Sequence, residues 1–351
     1  MNDSVILQRI ELGTPWPTID PFLFCVHHLD HYPSANGEFG PAASLQGRSI
    51  GNDFANVDGW NMYHGAVVPG FPQHPHRGFE TLTFVRRGLV DHADSLGAAA
   101  RYGRGDAQWM TAGSGIVHSE MFPLLDEADG ADNTLELFQI WVNLASTDKM
   151  TDPHFSMLWD EDIPKIEQVD DAGRRSLITV VAGGYAGATP PSPPPASWAS
   201  KSDSDVAVWH VVLEDGASIE LPAAAFEDAV RTLYLFQGSS LDLSGEDLSG
   251  YVGSVIDSQR SVTVTATDGP AEFLVLQGRP IGEPVAQYGP FVMNTRAEVA
   301  QAFEDYQTTQ FGGWPWPSPD PVHGGDEARF ARRPDGEVET PLGGEPVEAT
   351  V

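Results

Sequence analysis

Two histidines, His74 and His76, stand one residue apart in PGFPQHPHRGFETLTFVRRG (69–88). On a β-strand, side chains two apart point to one face, so both imidazoles aim the same way. Pro75 between them has no N–H to lose from a ladder. A second same-face pair, His118 and Glu120, follows in TAGSGIVHSEMF (111–122). Two neighbouring strands carrying these pairs inward offer three imidazoles and one carboxylate. That donor set suits a divalent transition metal with positions left open for water, dioxygen or substrate. If the first strand runs on without a bulge, Glu80 shares the face of His76 and competes with Glu120 as the acidic ligand. Spacing leaves that choice open. A lone His-x-His more often serves a surface or core role; two such pairs on separate strands favour a site.

The elements that must hold these groups read as β. FETLTFVRRG, ARYGRGDAQWM and LELFQIWVNL form one stretch of short apolar runs punctuated by glycine. RSLITVVAG, VAVWHVVLEDGASIEL, TLYLFQGS, SVTVTATDG and AEFLVLQG form a second. Short, evenly spaced strands of this kind build barrels or sandwiches rather than parallel sheets with crossover helices. FETLTFVRRG and RTLYLFQGS both end on glycine, and RGDAQWM and DGPAEFLVL both follow a turn with a strand. The chain is therefore expected to hold two related all-β barrels, joined by the proline-rich TPPSPPPASWASKSDSD (189–205). NTRAEVAQAFEDYQTTQFGG (294–313) predicts a helix, with Thr295 and Glu298 as a capping box and Gly312 as its stop. The expected domains are an amino-terminal metal-binding barrel over 1–165 and a metal-free barrel over 166–310 that ends in the helix 295–310. A Trp/Pro-rich anchor with an exposed acidic tail takes 311–351.

The formal net charge is −31, from 19 Lys+Arg against 50 Asp+Glu. Such a field repels phosphate backbones and argues against direct nucleic-acid binding, while leaving room for a basic protein partner. It fits either a saline cytoplasm or lineage drift plus an acidic tail. The one cysteine, Cys25, rules out an internal disulfide framework and reads as a small buried hydrophobe. No apolar run spans a bilayer, and the first thirty residues lack signal-peptide features. These readings point to a cytoplasmic protein away from membranes. Two barrels in one chain stand in for the dimer that single-barrel proteins form, so a monomer is expected.

HPHRGFET (74–81), DSLG (94–97), GDAQWMTAGSGIVHSE (105–120), QYGPFVMNT (287–295) and FGGWPWP (311–317) together resemble the pirin family of the cupin superfamily. The resemblance runs from about Pro21 to Phe330. It implies a bicupin, two cupin-type β-barrels, whose first barrel holds one metal ion, usually Fe(II). Matched motif by motif, the family's metal ligands fall on His74, His76, His118 and Glu120, which chooses Glu120 over Glu80. The resemblance also implies two functions. Several bacterial pirins open the central ring of flavonols as quercetin 2,3-dioxygenases, with dioxygen as co-substrate and Glu120 here as catalytic base. Others act as iron- and redox-sensing adaptors for a transcription factor or a metabolic enzyme.

The other histidines rank lower. His27 and His28 pack or cap at a strand edge, His64 is close enough to line the pocket mouth, and His92 before DSLG reads as a turn residue. His210 lies alone in VAVWHVV, as a satisfied core or edge histidine does, so the second barrel is expected to lack a metal. Trp314 and Trp316 are expected to anchor the carboxyl end onto a barrel, and RRPDG to be a solvated turn.

Overall fold

The computed structural model describes residues 4–326 and 328–341. The chain is mostly strand, with one α-helix, Arg296–Thr309. It divides into two compact units that interleave along the sequence. One, the companion unit, comprises Met1–Val26, Ile140–Ala145 and Asp162–Gly282. The other, the histidine unit, comprises His27–Gln139, Ser146–Glu161 and Glu283–Val351. This departs from the sequential division at 165 and 310. Strand Ile6–Glu11 pairs with Val252–Ile256, and Phe330–Arg332 pairs with Ala99–Gly103. Segments remote in sequence therefore complete each unit, which local composition cannot show. The proline-rich stretch 189–205 lies inside the companion unit, between strands Arg175–Ala182 and Ala207–Leu213, and connects those strands rather than two barrels.

Each unit is built on two open sheets. A five-stranded sheet that supplies most of its residues to the histidine unit runs His154–Leu158, Ala107–Thr111, Phe79–Arg87, Asn133–Asn143, Phe22–Tyr32. Opposite it, a six-stranded sheet runs from Gly70–His76 through Ile116–Met121, Leu89–Asp94 and Ala99–Gly103 to Phe330–Arg332 and Val338–Glu339. The companion unit repeats this order. Ile6–Glu11, Val252–Ile256, Val230–Gln237, Ala271–Gly278 and Ala207–Leu213 are consecutive in one sheet, and Ser218–Leu221, Val262–Thr267, Ser240–Leu243 and Glu246–Ser249 form the other. The architecture is a bicupin, with paired sheets standing where closed barrels were expected.

The matched order makes the interiors comparable. Ser218–Leu221 and Val262–Thr267 take the places of the two histidine strands and pair Ile219 with Val264. Ile219, Leu221, Val264 and Ala266 are buried in an aliphatic core, so these four side chains offer no ligand atom. His210 is buried with Nε2 3.2 Å from Glu272, a satisfied histidine as expected. Cys25 is fully buried, and burial pushes its thiol pKa far up.

The helix begins at the Thr295/Glu298 capping box and runs Arg296–Thr309 with left-handed Gln310 as its cap, within a residue of the expected 295–310 at each end, and a short 3-10 turn then carries the chain to Gly312. Residues after it are not an exposed tail as far as they are described. Buried Arg101 donates to Asp91 through Nε and Nη2, both 2.7 Å, and to the backbone carbonyls of Gly324 and Asp326. Trp316 donates to the Asp94 carbonyl at 2.8 Å, so this tryptophan anchors the segment as expected. Residues 342–351 of the acidic tail lie outside the described residues. Arg101 and Asp91 form a buried ion pair, and removing one partner strands the other charge. Arg101→Met should therefore lower the unfolding free energy by about 3–5 kcal/mol, read from urea denaturation; a loss below about 1 kcal/mol would show that the pair does not hold the segment.

Candidate metal centre

His74 and His118 are direct partners in the antiparallel pairing of Gly70–His76 with Ile116–Met121, and His76 faces Ile116. A register shift between Phe71 and His74 lets the strand turn both histidines inward. The three imidazoles form one cluster, with ligand atoms all within 4.8 Å of one another. Ring centroids are 4.8 Å apart for His74–His76, 4.4 Å for His74–His118 and 4.9 Å for His76–His118.

Backbone contacts orient two of these rings. His74 Nδ1 lies 2.9 Å from the Pro72 carbonyl, and His76 Nδ1 lies 3.4 Å from the Pro290 carbonyl. A carbonyl only accepts, so Nδ1 carries the proton and Nε2 presents its lone pair. His118 is fully buried, and neither of its ring nitrogens has a hydrogen-bond partner. An unsatisfied buried polar atom costs about 1–3 kcal/mol, and one bound metal ion removes that penalty at the ligating nitrogen. Burial also lowers all three pKa values, to about 4 for His74 and well below the usual range for His76 and His118; nearby His64 and His92 reinforce the shift at His74, His74 that at His76, and His74, His76 and His92 that at His118. The cluster is therefore neutral at physiological pH, the form that binds metal. The residues fit a divalent transition metal.

The turn after His76 is fixed from three sides. Gly78 has φ +83°, and a Cβ there would come within 2.0 Å of the Val292 carbonyl. Buried Lys149 donates to the carbonyls of Gly78 at 2.7 Å and Val292 at 3.2 Å. Arg77 donates to Ser114 O and to Asp305 on the helix, at 2.7 and 2.6 Å.

That turn also breaks the parity that made Glu80 a rival ligand. Glu80 is buried and accepts from Trp109 Nε1 at 3.1 Å and Thr111 Oγ1 at 2.6 Å. Glu120 is nearer in register to the histidines but is not a member of the three-histidine group. It accepts from Thr83 Oγ1 at 2.9 Å and from Gln139 Nε2 at 3.3 Å. Burial raises its pKa, opposed by Thr83, His92, Tyr102 and Gln139. Burial and the Glu120 charge push the Tyr102 phenol well up.

All four of these neighbours escaped the sequence reading. Thr83 and Gln139 lie on the opposite sheet, and only the fold brings them to Glu120. His92 is not a turn residue: it is fully buried in strand Leu89–Asp94, directly across from Glu120. Its ring is 5.5 Å from that of His118, and Nε2 lies 3.2 Å from Asp94. The same-face spacing of His92 and Asp94 was the available signal, hidden by the turn chemistry of DSLG.

The remaining histidines stay outside the cluster. His27 stacks on Phe138 at 4.7 Å and pairs with Glu136 at 3.0 Å. His28 contacts the Tyr63 hydroxyl at 2.8 Å, and burial lowers its pKa to about 3. Exposed His64 lies 2.7 Å from the Gly51 carbonyl, edge-on to Phe71, which itself lies against His74.

The family described as Pirin matches residues 16–142, and the Pirin C-terminal cupin domain matches 208–312. A tomato pirin-like protein is 35% identical over 76% of this chain and 86% of its own length. Human pirin is 32% identical over 76% of this chain and 87% of its own. A Pseudomonas aeruginosa protein provisionally named quercetin 2,3-dioxygenase is 38% identical over 69% of this chain and 79% of its own. A crystal structure of quercetin 2,3-dioxygenase from Acinetobacter baumannii superposes with TM-score 0.65 at 28% identity, covering 84% of this chain and 87% of that one.

Two outcomes follow from the geometry. His118→Ala should reduce metal affinity by more than about a hundredfold, measured by metal analysis after dialysis; undiminished metal content would place the ion elsewhere. Metal-free protein should lose stability as pH falls from 6.5 toward 4. In that window the unfolded chain takes up protons that the buried histidines refuse, so the slope of stability against pH is positive. Equal urea midpoints at pH 7 and pH 5 would contradict the buried, neutral cluster.

Proposed function

Because the chain belongs to the pirin family, we propose that it is a metal-dependent dioxygenase acting on small flavonol-like aromatics, of the quercetin 2,3-dioxygenase type. The observation that carries this reading is the buried cluster of His74, His76 and His118 beside a carboxylate, Glu120, that burial makes more basic. The metal would be held by the three histidines, with Glu120 as the fourth candidate ligand, and Fe(II) is the ion proposed. When bound, such an ion supplies Lewis acidity toward oxygen donors and so makes an enolic hydroxyl easier to deprotonate.

The chain's own residues supply the rest. Glu120 takes the proton of the substrate's acidic hydroxyl, because burial raises its proton affinity above that of an ordinary carboxylate. Thr83 and Gln139 hold the carboxylate toward the interior while leaving it lone pairs. The phenol of Tyr102 stays protonated at neutral pH and can donate to an oxyanion. Apolar neighbours including Met110, Leu137, Phe155 and Met157 exclude water around these groups. A dry interior keeps the deprotonated substrate from being reprotonated by solvent.

The names of the Pseudomonas and Acinetobacter proteins support a flavonol-like substrate. Iron-reconstituted protein should consume oxygen and release carbon monoxide with quercetin. Glu120→Gln should lower that turnover by about 10²–10⁴-fold while metal content falls far less. Retained turnover in this variant would remove Glu120 as the base. Absence of turnover with every divalent metal, at full metal loading, would overturn the enzymatic reading in favour of a metal-loaded adaptor.

A further inference from the structure

The companion unit holds no counterpart of the three clustered histidines among the described residues, yet its interior keeps polar groups. Arg231 is the first inward residue of strand Val230–Gln237, on the face that carries Leu233 and Leu235 into the core. It is fully buried. Nε and Nη2 donate to Gln277 Oε1, at 2.7 and 2.5 Å, and Nη2 also donates to the Pro222 carbonyl at 2.7 Å. Nη1 has no partner. No carboxylate forms an ion pair with this guanidinium among the described residues. Asp205 and Asp257 act on it only from farther away, and burial lowers its pKa to about 10, so it remains a cation at neutral pH. Asp205 cannot turn toward it, because its carboxylate already accepts from Gln277 Nε2 and from the amides of Ala225 and Phe226.

A second unpartnered donor lies alongside. Trp209 points into the same core from strand Ala207–Leu213, is 2% exposed, and leaves Nε1 without an acceptor. The Arg231 guanidinium carbon lies 5.8 Å from the Trp209 ring centroid. A lone buried cation and a lone buried N–H are each costly, and one acceptor carrying negative charge relieves both. The position is also informative. Val230–Gln237 corresponds in sheet order to Phe79–Arg87, and Pro222 directly follows the counterpart of the Gly70–His76 strand. The donors thus occupy the end of the companion unit that, in the histidine unit, carries the imidazoles.

We propose that the companion unit binds one small monoanion, of formate, acetate or chloride size, between Arg231 Nη1 and Trp209 Nε1. Both nitrogens are closed off from solvent within an apolar core, which limits the ligand to a few heavy atoms. Planar carboxylate and spherical halide share the required chemistry, a compact negative acceptor for two N–H groups. The second cupin unit is then a binding module rather than a filled relic, and this site does not depend on metal in the first.

The test is thermal unfolding of the full-length protein in sodium formate, acetate, chloride or the bulky 2-(N-morpholino)ethanesulfonate, at equal ionic strength. At tenfold excess over Kd, the matching small anion should raise Tm by about 3–5 °C above the bulky one. The anion giving the larger rise distinguishes carboxylate from halide. Arg231→Met and Trp209→Phe should each abolish the anion-specific rise while keeping the general salt effect. Equal Tm in all four salts, or an unchanged anion-specific rise in both variants, would overturn the proposal. Should Arg231→Met fail to fold, Trp209→Phe and crystals grown in bromide decide. An anomalous peak beside Nη1 supports the site as a halide site, and no peak at saturating bromide together with no anion density there in crystals grown in formate refutes it.

Discussion

The histidine unit is organised around an unfavourable fact: three imidazoles converge in neutral form, two of them buried and His74 half-buried, and His118 leaves both nitrogens unsatisfied. Packing alone gives no reason to tolerate this, since apolar residues of similar volume would fill the space without desolvation cost. The register that pairs His74 with His118 is what forces the convergence. The structure around it is arranged to keep that register. Gly78 supplies a turn that no side chain could occupy, Lys149 ties two loop carbonyls together, and Arg77 links the strand end to the helix. A cluster held this firmly before any ion arrives loses little conformational freedom on binding one.

The companion unit shows the same scaffold under a different choice. Strand for strand it repeats the sheet order, yet the strands in the histidine strands' places carry Ile219, Leu221 and Val264 into an aliphatic core. The fold therefore does not dictate metal binding; side chains at a few inward positions do. Where the companion unit does retain charge, at Arg231, it is positive instead of metal-coordinating. One architecture thus places cation-binding chemistry in one unit and anion-attracting chemistry in the other.

Much of this was legible in the sequence, for reasons that can be stated residue by residue. Parity set His74 and His76 on one face because strand periodicity is rigid over two residues, and the pairing of the two strands brings both rings against His118. The helix start was legible because a capping box is a local signal, and both of its hydrogen bonds are present. The strands were legible from their Val, Thr and Phe content. What failed was non-local. Interleaving of the units depends on pairing between residues 6–11 and 252–256, and between 330–332 and 99–103, separations over which composition carries no information. His92 was misassigned because turn residues beside it outweighed its strand spacing, and the rivalry between Glu80 and Glu120 hinged on a turn at Gly78 invisible to parity. The proline-rich segment misled for a related reason: composition identified a connector correctly but not which elements it connects.

The central claim is that one divalent ion sits among His74, His76 and His118. X-ray absorption at the metal edge of purified, iron-reconstituted protein tests it most directly. The account predicts one ion per chain with three imidazole nitrogens at about 2.1 Å, and loss of the imidazole scattering pattern when His118 is replaced by alanine. An oxygen-only shell, or an imidazole shell that survives that replacement unchanged, would contradict it.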